Sequence, residues 1–366
     1  MAIKKRILVA PLNWGLGHAT RCIPIIKALI HHGYQPIIGS DGMALELLKV
    51  EFPDEVCIEL PSYQIKYPKK GKYFTYKLLQ NSPKVVKAIR AEHKLVKALV
   101  KCKQIDGIIS DNRLGAYNKN VPSVFITHQL HVLSGISTWL SSKLHQHYIK
   151  KFDVCWVPDR ENQPNLSGKM GHVKKQLLPT QYIGAISRLE KIDLKICYDL
   201  MFLLSGPEPQ RSILEEILME QLKMYNGNYL FVRGKVESKQ SITKKGNATI
   251  VNFLESKALE EAINKSQIIV ARSGYSTILD LAKLGKRAFF IPTPGQFEQQ
   301  YLAKSLEEKR IAPNCQQHEF SLIQLDRVKN YNGFDQDLSI NNYTNLFDLF
   351  EREGELATNT KFTFNV

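Results

Sequence analysis

Two hydrophobic rhythms alternate along the chain. Continuous apolar runs at 7–10, 36–39, 56–60, 105–110, 123–127 and 154–157 suit strands buried on both faces and are too short for helices. Between them lie longer stretches, such as 18–31 and 83–103, whose apolar residues recur at helical spacing. This alternation predicts βαβ units and a doubly wound parallel sheet. The rhythm lapses over a polar loop at 158–178 containing Pro158, Asn162, Pro164, Gly168 and Gly171. It resumes with strands expected at 200–204, 229–233, 249–253, 268–271 and 288–291, and helices at 210–224, 256–265, 275–284 and 298–309. The expected fold class is therefore α/β with two Rossmann-like domains: an N-terminal domain over 1–184, a linker over 185–198, a C-terminal domain over 199–350 and a polar tail over 351–366. A chain of 366 residues is long enough for two cores.

Candidate chemistry gathers at strand ends, where open α/β sheets bind ligands. Gly15-Leu16-Gly17-His18 follows the first strand and opens a helix. Glycines there permit a tight turn, and a helix start offers unpaired N–H groups to an anion. An imidazole at that mouth suits a general base, so His18 is the candidate catalytic group. Asp111, at the end of the 105–110 strand, either orients His18 or caps the next helix. His128 and His131 follow the 123–127 strand, as acceptor-side contacts or as hydrogen-bonded structural residues.

The second half carries Arg272-Ser273-Gly274-Tyr275-Ser276-Thr277 directly after a buried strand, with Asp280 inside the helix that follows. N–H groups and hydroxyls at such a start suit a diphosphate, and a carboxylate one to two turns on suits ribose hydroxyls. A Pro-Gly loop and the polar cluster Gln296, Glu298, Gln299 and Gln300 come next.

These two segments resemble the donor-binding half of the GT-B glycosyltransferases, within them the MurG-like group, whose namesake adds N-acetylglucosamine to a lipid-linked peptidoglycan precursor. The resemblance spans essentially the whole chain and is specific from about 250 to 303. It implies GT-B architecture, two domains facing across a cleft. It also implies donor contacts at Gly206, Phe253, Ser273, Gly274, Ser276, Thr277 and Asp280, sugar-reading roles for Gln299 and Gln300, a diphosphate contact from Arg188, and His18 as the base beside the acceptor-side glycines Gly15 and Gly17. The implied reaction is a metal-independent, inverting transfer of a hexose, N-acetylglucosamine or a relative, from a UDP-sugar to an acceptor hydroxyl. No cofactor is implied beyond the UDP-sugar as co-substrate. The chain departs from the family pattern at Trp14 and Leu16 in the first loop, at Gln129 where the family has Glu, at the shorter Asp280, and at Pro207 and Pro209. The acceptor need not be the peptidoglycan precursor. Rival readings are a UDP-sugar 2-epimerase of the same fold and a non-catalytic basic binding protein.

Charge adds a partner. The formal net charge is +15, and residues 1–189 hold 28 basic against 12 acidic side chains, a net of +16. Residues 66–103 alone hold 12 basic and 1 acidic, interleaved or flanked by Tyr63, Tyr67, Tyr73, Phe74 and Tyr76. The helix in this arm sets Val85, Ile89, Val96 and Leu99 roughly on one face, with Lys84, Lys87, Arg90, Lys94, Lys97 and Lys101 elsewhere. It is either a solvated helix packed on the sheet or a peripheral contact with anionic membrane, the acceptor being an anionic lipid or glycan. No RNA-binding signature accompanies it, so nucleic acid is not expected. Six scattered cysteines without a CxxC spacing read as buried free thiols rather than a metal or disulfide framework. With no run of ~20 apolar residues for a membrane span, the expected location is cytoplasmic, at the inner face of the cell membrane.

Overall fold

The computed structural model describes residues 4–63, 74–131, 145–173, 178–235, 237, 239–334 and 344–351, with backbone only for 74–82 and 344. The first series of strands is β1 (Arg6–Pro11), β2 (Gln35–Ser40), β3 (Val56–Glu59), β4 (Gly107–Asp111), β5 (Ser123–Ile126), β6 (Val154–Val157) and β7 (Thr180–Tyr182). They form one parallel sheet in the order β3-β2-β1-β4-β5-β6-β7. The order reverses between β1 and β4, which pair from Ile7 opposite Gly107 to Pro11 opposite Asp111. Helices α1 (Gly17–His31), α2 (Gly42–Glu51) and α3 (Phe74–Lys101) connect the early strands. Ile7, Leu8, Val9, Ile108 and Ile109 are fully buried, as both faces of a parallel sheet must be when helices cover them.

A second sheet contains β8 (Tyr198–Leu203), β9 (Tyr229–Val232), β10 (Ile242–Lys245), β11 (Ala248–Val251), β12 (Ser266–Ala271) and β13 (Arg287–Phe290), in the order β10-β11-β9-β8-β12-β13. Its strand order reverses between β8 and β12, which pair through Ala271 opposite Leu203. Its helices are α4 (Gln210–Leu222), α5 (Ser256–Asn264), α6 (Tyr275–Leu284) and α7 (Phe297–Glu308). Gly285 ends α6 in the left-handed region at φ 63°, donating its N–H to Ala282 O.

Four features depart from the sequence expectations. The antiparallel edge strand β10 was not foreseen, because all four of its residues are exposed and leave no hydrophobic signal. Helix α3 begins at Phe74 rather than 83: Pro83 resembles a start signal but lies within the helix, where its missing N–H removes one bond without ending the run. Residues 344–350, assigned to the C-terminal domain by the sequence, lie in helix α8 (Thr344–Glu351), which packs on the N-terminal sheet. There Lys5 Nζ donates to Phe350 O at 2.6 Å, the Tyr34 hydroxyl donates to Glu351, and Phe347 lies edge-on to Tyr34 with centroids 5.6 Å apart. Burying Phe347 and Phe350 contributes about 2 kcal/mol each, which explains why the helix crosses back. Finally, Cys22, Cys155 and Cys315 are buried free thiols, but Cys102 and Cys197 are exposed.

The basic arm divides. Residues 66–73, with Tyr67 and Tyr73, and the tail 352–366 lie outside the described residues. Tyr63 is not part of an exposed aromatic surface: it is buried and donates to Glu92 at 2.6 Å. Glu92 also accepts from Arg113 Nη1 at 2.6 Å, and Arg113 pairs with Asp41, so a buried ion cluster anchors α3 beneath the sheet. On α3 itself Ile89, Val96 and Leu99 face inward, while Lys84, Lys87, Arg90, Lys94, Lys97 and Lys101 are exposed.

Candidate active site

Helix α1 starts at the reversal of the first sheet, and its first turn carries His18 and Arg21 on one face. Gly15, at φ 72°, lets β1 turn into the helix. His18 Nδ1 lies 2.8 Å from Asp111 Oδ1, at the end of the adjacent strand β4. Asp111 is fully buried and receives the Arg21 guanidinium through both Nε and Nη2. Burial would raise the Asp111 carboxyl, but Arg21 and His18 outweigh it and hold the group well below the usual carboxylate range. With its proton on Nδ1, His18 donates to the Asp111 carboxylate and keeps Nε2 as the acceptor, while Arg21 Nη2 directs its donor capacity to Asp111.

Arg21 extends the constellation. Its Nη1 donates to His128 Nδ1 at 3.2 Å, and its Nη2 lies 2.9 Å from His18 Nδ1. His128 Nε2 meets Glu298 Oε1 at 2.9 Å, and Gln129 Nε2 donates to Glu298 Oε2 at 2.6 Å. Glu298 is on α7, so the network crosses from one sheet's unit to the other. Across the same seam His128 stacks on Tyr275 of α6, centroids 4.0 Å apart, and the Tyr275 hydroxyl donates to Pro158 O at 2.7 Å. Burial lowers the His128 pKa, against the pull of Glu298, and a neutral ring accepting from Arg21 and donating to Glu298 fits its two shortest contacts. His128 is thus committed within the protein rather than presented to an acceptor. His131, at the edge of the described residues, ties its N–H to Met170 O at 3.0 Å.

The donor-side candidates sit at the reversal of the second sheet. Helix α6 begins after Gly274 with no side-chain cap, leaving N–H groups of its first turn open beside Ser276 and Thr277, both half-buried. Ser273 Oγ donates to Gln299 O at 2.8 Å and braces the loop after β12 against α7. Gly206, at φ 102° after β8, lies next to Thr293, whose Oγ1 is buried and unpartnered among the described residues. Gln299 Oε1 accepts from Thr293 N at 2.8 Å and its Nε2 donates to Gln296 at 2.6 Å, whereas Gln300 is exposed. The two glutamines therefore hold different positions: one braces the Pro-Gly loop, the other is open. Phe253 is half-buried at the end of β11.

Two expected donor contacts, Asp280 and Arg188, are engaged by other side chains. Ser187 donates to Asp280, and Arg188 Nη1 donates to Ser256 at 2.8 Å, 3.9 Å from Glu51. Burial pushes the Asp280 carboxyl up to about 6, opposed by Ser187 and Arg188. The Arg188 Nε is buried with no partner among the described residues, so part of its donor capacity is unused.

The chain is similar to known glycosyltransferases. Residues 212–330 match the glycosyltransferase family 28 C-terminal domain. An uncharacterized glycosyltransferase of Methanosarcina acetivorans is 26% identical over 332 residues, 83% of this chain and 84% of its own. The UDP-N-acetylglucosamine--N-acetylmuramyl-(pentapeptide) pyrophosphoryl-undecaprenol N-acetylglucosamine transferase of Clostridium botulinum is 23% identical over 286 residues, 75% of each chain. Among solved structures, Acinetobacter baumannii MurG superposes with a TM-score of 0.57 at 15% identity, covering 95% of this chain and 99% of its own. The chain is a glycosyltransferase of GT-B fold, similar to the MurG-like enzymes.

In this GT-B enzyme the strand-end motifs located His18, Asp111 and the α6 start, but Arg21 and Glu298 escaped sequence reasoning. Arg21 stands one turn after His18, and i, i+3 spacing from a candidate base was the signal available. Glu298 stands in the polar cluster that opens α7, but nothing local ties it to the base, since its partner His128 lies 170 positions away.

Proposed function

We propose that the chain transfers a hexosyl group, N-acetylglucosamine or a related hexose, from a UDP-sugar to a hydroxyl of an anionic, lipid-linked or cell-envelope glycan, with inversion at C1. The observation that carries this reading is His18, held by Asp111 at the first sheet's reversal, on a helix whose start abuts the open N-terminus of α6. His18 Nε2 takes the acceptor proton while the acceptor oxygen attacks C1 from the face opposite the diphosphate. The C1–O bond to UDP breaks in the same displacement, so one inversion results and no covalent intermediate forms. Charge building on the leaving diphosphate is met by the first-turn N–H groups of α6, by Ser276 and Thr277, and by the unused donor capacity of Arg188.

The acceptor side is read from charge. The exposed cationic face of α3 belongs to the unit that carries His18, and it suits an anionic lipid surface at the inner face of the cell membrane. Among the described residues no helix is long and apolar enough to cross a membrane, so contact would be peripheral. The reading is tested with a panel of UDP- and TDP-sugars, each with and without a lipid extract, scored for nucleotide release and for product anomeric configuration. Extract-dependent UDP release with an inverted product is expected. Turnover confined to TDP-sugars, or a retained configuration, would overturn it.

A further inference from the structure

We propose that Glu298 is a positioning residue that completes the His18 base from the opposite half of the molecule. The inference rests on the reading of His18 as the base. A polar chain joins the two groups: Glu298 Oε1 to His128 Nε2 at 2.9 Å, His128 Nδ1 to Arg21 Nη1 at 3.2 Å, Arg21 to Asp111, and Asp111 Oδ1 to His18 Nδ1 at 2.8 Å.

Each link fixes the next. A neutral imidazole has one donor and one acceptor nitrogen. Glu298 accepts from Nε2–H, so Nδ1 is left as an acceptor, and that acceptor fixes the Nη1 edge of Arg21. With Nη1 held by His128, the guanidinium presents Nε and Nη2 squarely to Asp111. Asp111 in turn holds His18 by Nδ1. Were His128 to take the other tautomer, its Nδ1 could no longer accept from Arg21 Nη1, and the contact that holds this edge of the guanidinium would be lost. The groups facing His128 are Arg21 from α1, Tyr275 from α6, Glu298 from α7, the neighbouring Gln129, and the His18 and His145 imidazoles.

The location of Glu298 gives the link a consequence. It lies in the first turn of α7, immediately before Gln299 and Gln300 and four residues after the Pro-Gly loop starts. The base is therefore fully oriented only when the start of α7 is seated against His128. Base assembly and domain approach become one event, which protects an activated donor from attack by water while the halves are apart.

The test uses the full chain with imidazole-15N histidine. In the wild type, His128 is expected as the Nε2–H tautomer and His18 as the Nδ1–H tautomer, with the H18A and H128A spectra providing assignments. In E298A the His18 nitrogen signals should move toward a mixture of tautomers. kcat on the donor identified by the panel should fall roughly 10–100-fold, while the Kd for UDP stays unchanged. E298Q should restore much of both, because its amide oxygen still accepts from His128 and the Gln129 amide can turn to accept from the new NH2. Unaltered His18 signals in E298A would overturn the proposal. So would a loss of UDP affinity in step with kcat, which would make Glu298 a donor contact. Wild-type transfer by H18A would defeat the base reading instead, and the tautomer comparison still stands apart from it.

Discussion

Gly17 and Ser276 meet where the starts of α1 and α6 approach: a Cβ on Gly17 would lie 2.6 Å from Ser276 Oγ and 3.2 Å from its Cβ. Rotating the serine relieves the first contact but not the second. Gly17→Ala should therefore hold α1 and α6 apart. Alanine also favours a helix over glycine by about 0.5–1 kcal/mol. The variant should unfold at the wild-type temperature or slightly above, yet lose roughly 10-fold or more in kcat. Thermal unfolding and steady-state rates measured on one preparation check this combination, and equal loss of both would refute it.

His18→Ala should reduce transfer by roughly 10²–10⁴-fold, the usual share of a general base, with UDP affinity preserved. Asp111→Asn should cost less than His18→Ala in rate but more in stability, because it leaves the buried Arg21 charge without its counterion. Calorimetry with UDP alongside rate measurements separates the two effects.

The Asp280 carboxyl, pushed up to about 6, makes stability depend on pH. The sign follows from a folded-state pKa above the unfolded value: the protonated group favours folding below about pH 4, and that contribution is lost as pH rises through 6. Asp280→Asn keeps an acceptor for Ser187 and carries no charge. It should match the wild type near pH 4 and exceed it near pH 7, by at most about 3 kcal/mol. A difference in unfolding temperature that stays flat across that range would exclude the burial penalty.

Gln299 and Gln300 should fail differently. Gln299→Ala removes the acceptor for Thr293 N and should loosen the Pro-Gly loop, raising donor KM and lowering the unfolding temperature together. Gln300→Ala touches no hydrogen bond given by the structure and should change the ratio of kcat/KM between donor sugars without changing stability. Competition between two UDP-hexoses gives that ratio directly.

Reversing charge on α3, with Lys87→Glu and Lys94→Glu together, should weaken sedimentation with phosphatidylglycerol vesicles. About 1 kcal/mol is expected for each cation lost near an anionic surface. Binding to zwitterionic vesicles should be weak for both proteins. Undiminished binding by the double variant would remove α3 from the contact.

The fold was legible because parallel strands buried on both faces are written as apolar runs, and every such run became a strand. What escaped was what lacks that signal. Strand β10 is exposed throughout, and α8 reads like any amphipathic helix, its destination set by Tyr34 and Gly107 some 240–310 positions earlier. The site divided in the same way. Strand-end glycines, hydroxyls and His18 announce themselves locally, whereas the pairing of His128 with Glu298 and the enclosure of Asp280 by Ser187 depend on how two sheets face one another. A short-range motif names a group's chemistry but not its partners.

The return of α8 to the N-terminal sheet means that the polypeptide passes between the halves twice, once before β8 and once before α8. A single tether would let one half swivel freely about the other. Two connections restrict that freedom more than one does. The N-terminal half expressed alone would also expose the apolar ground that Phe347 and Phe350 cover, so a severed half is not a faithful substitute for the whole.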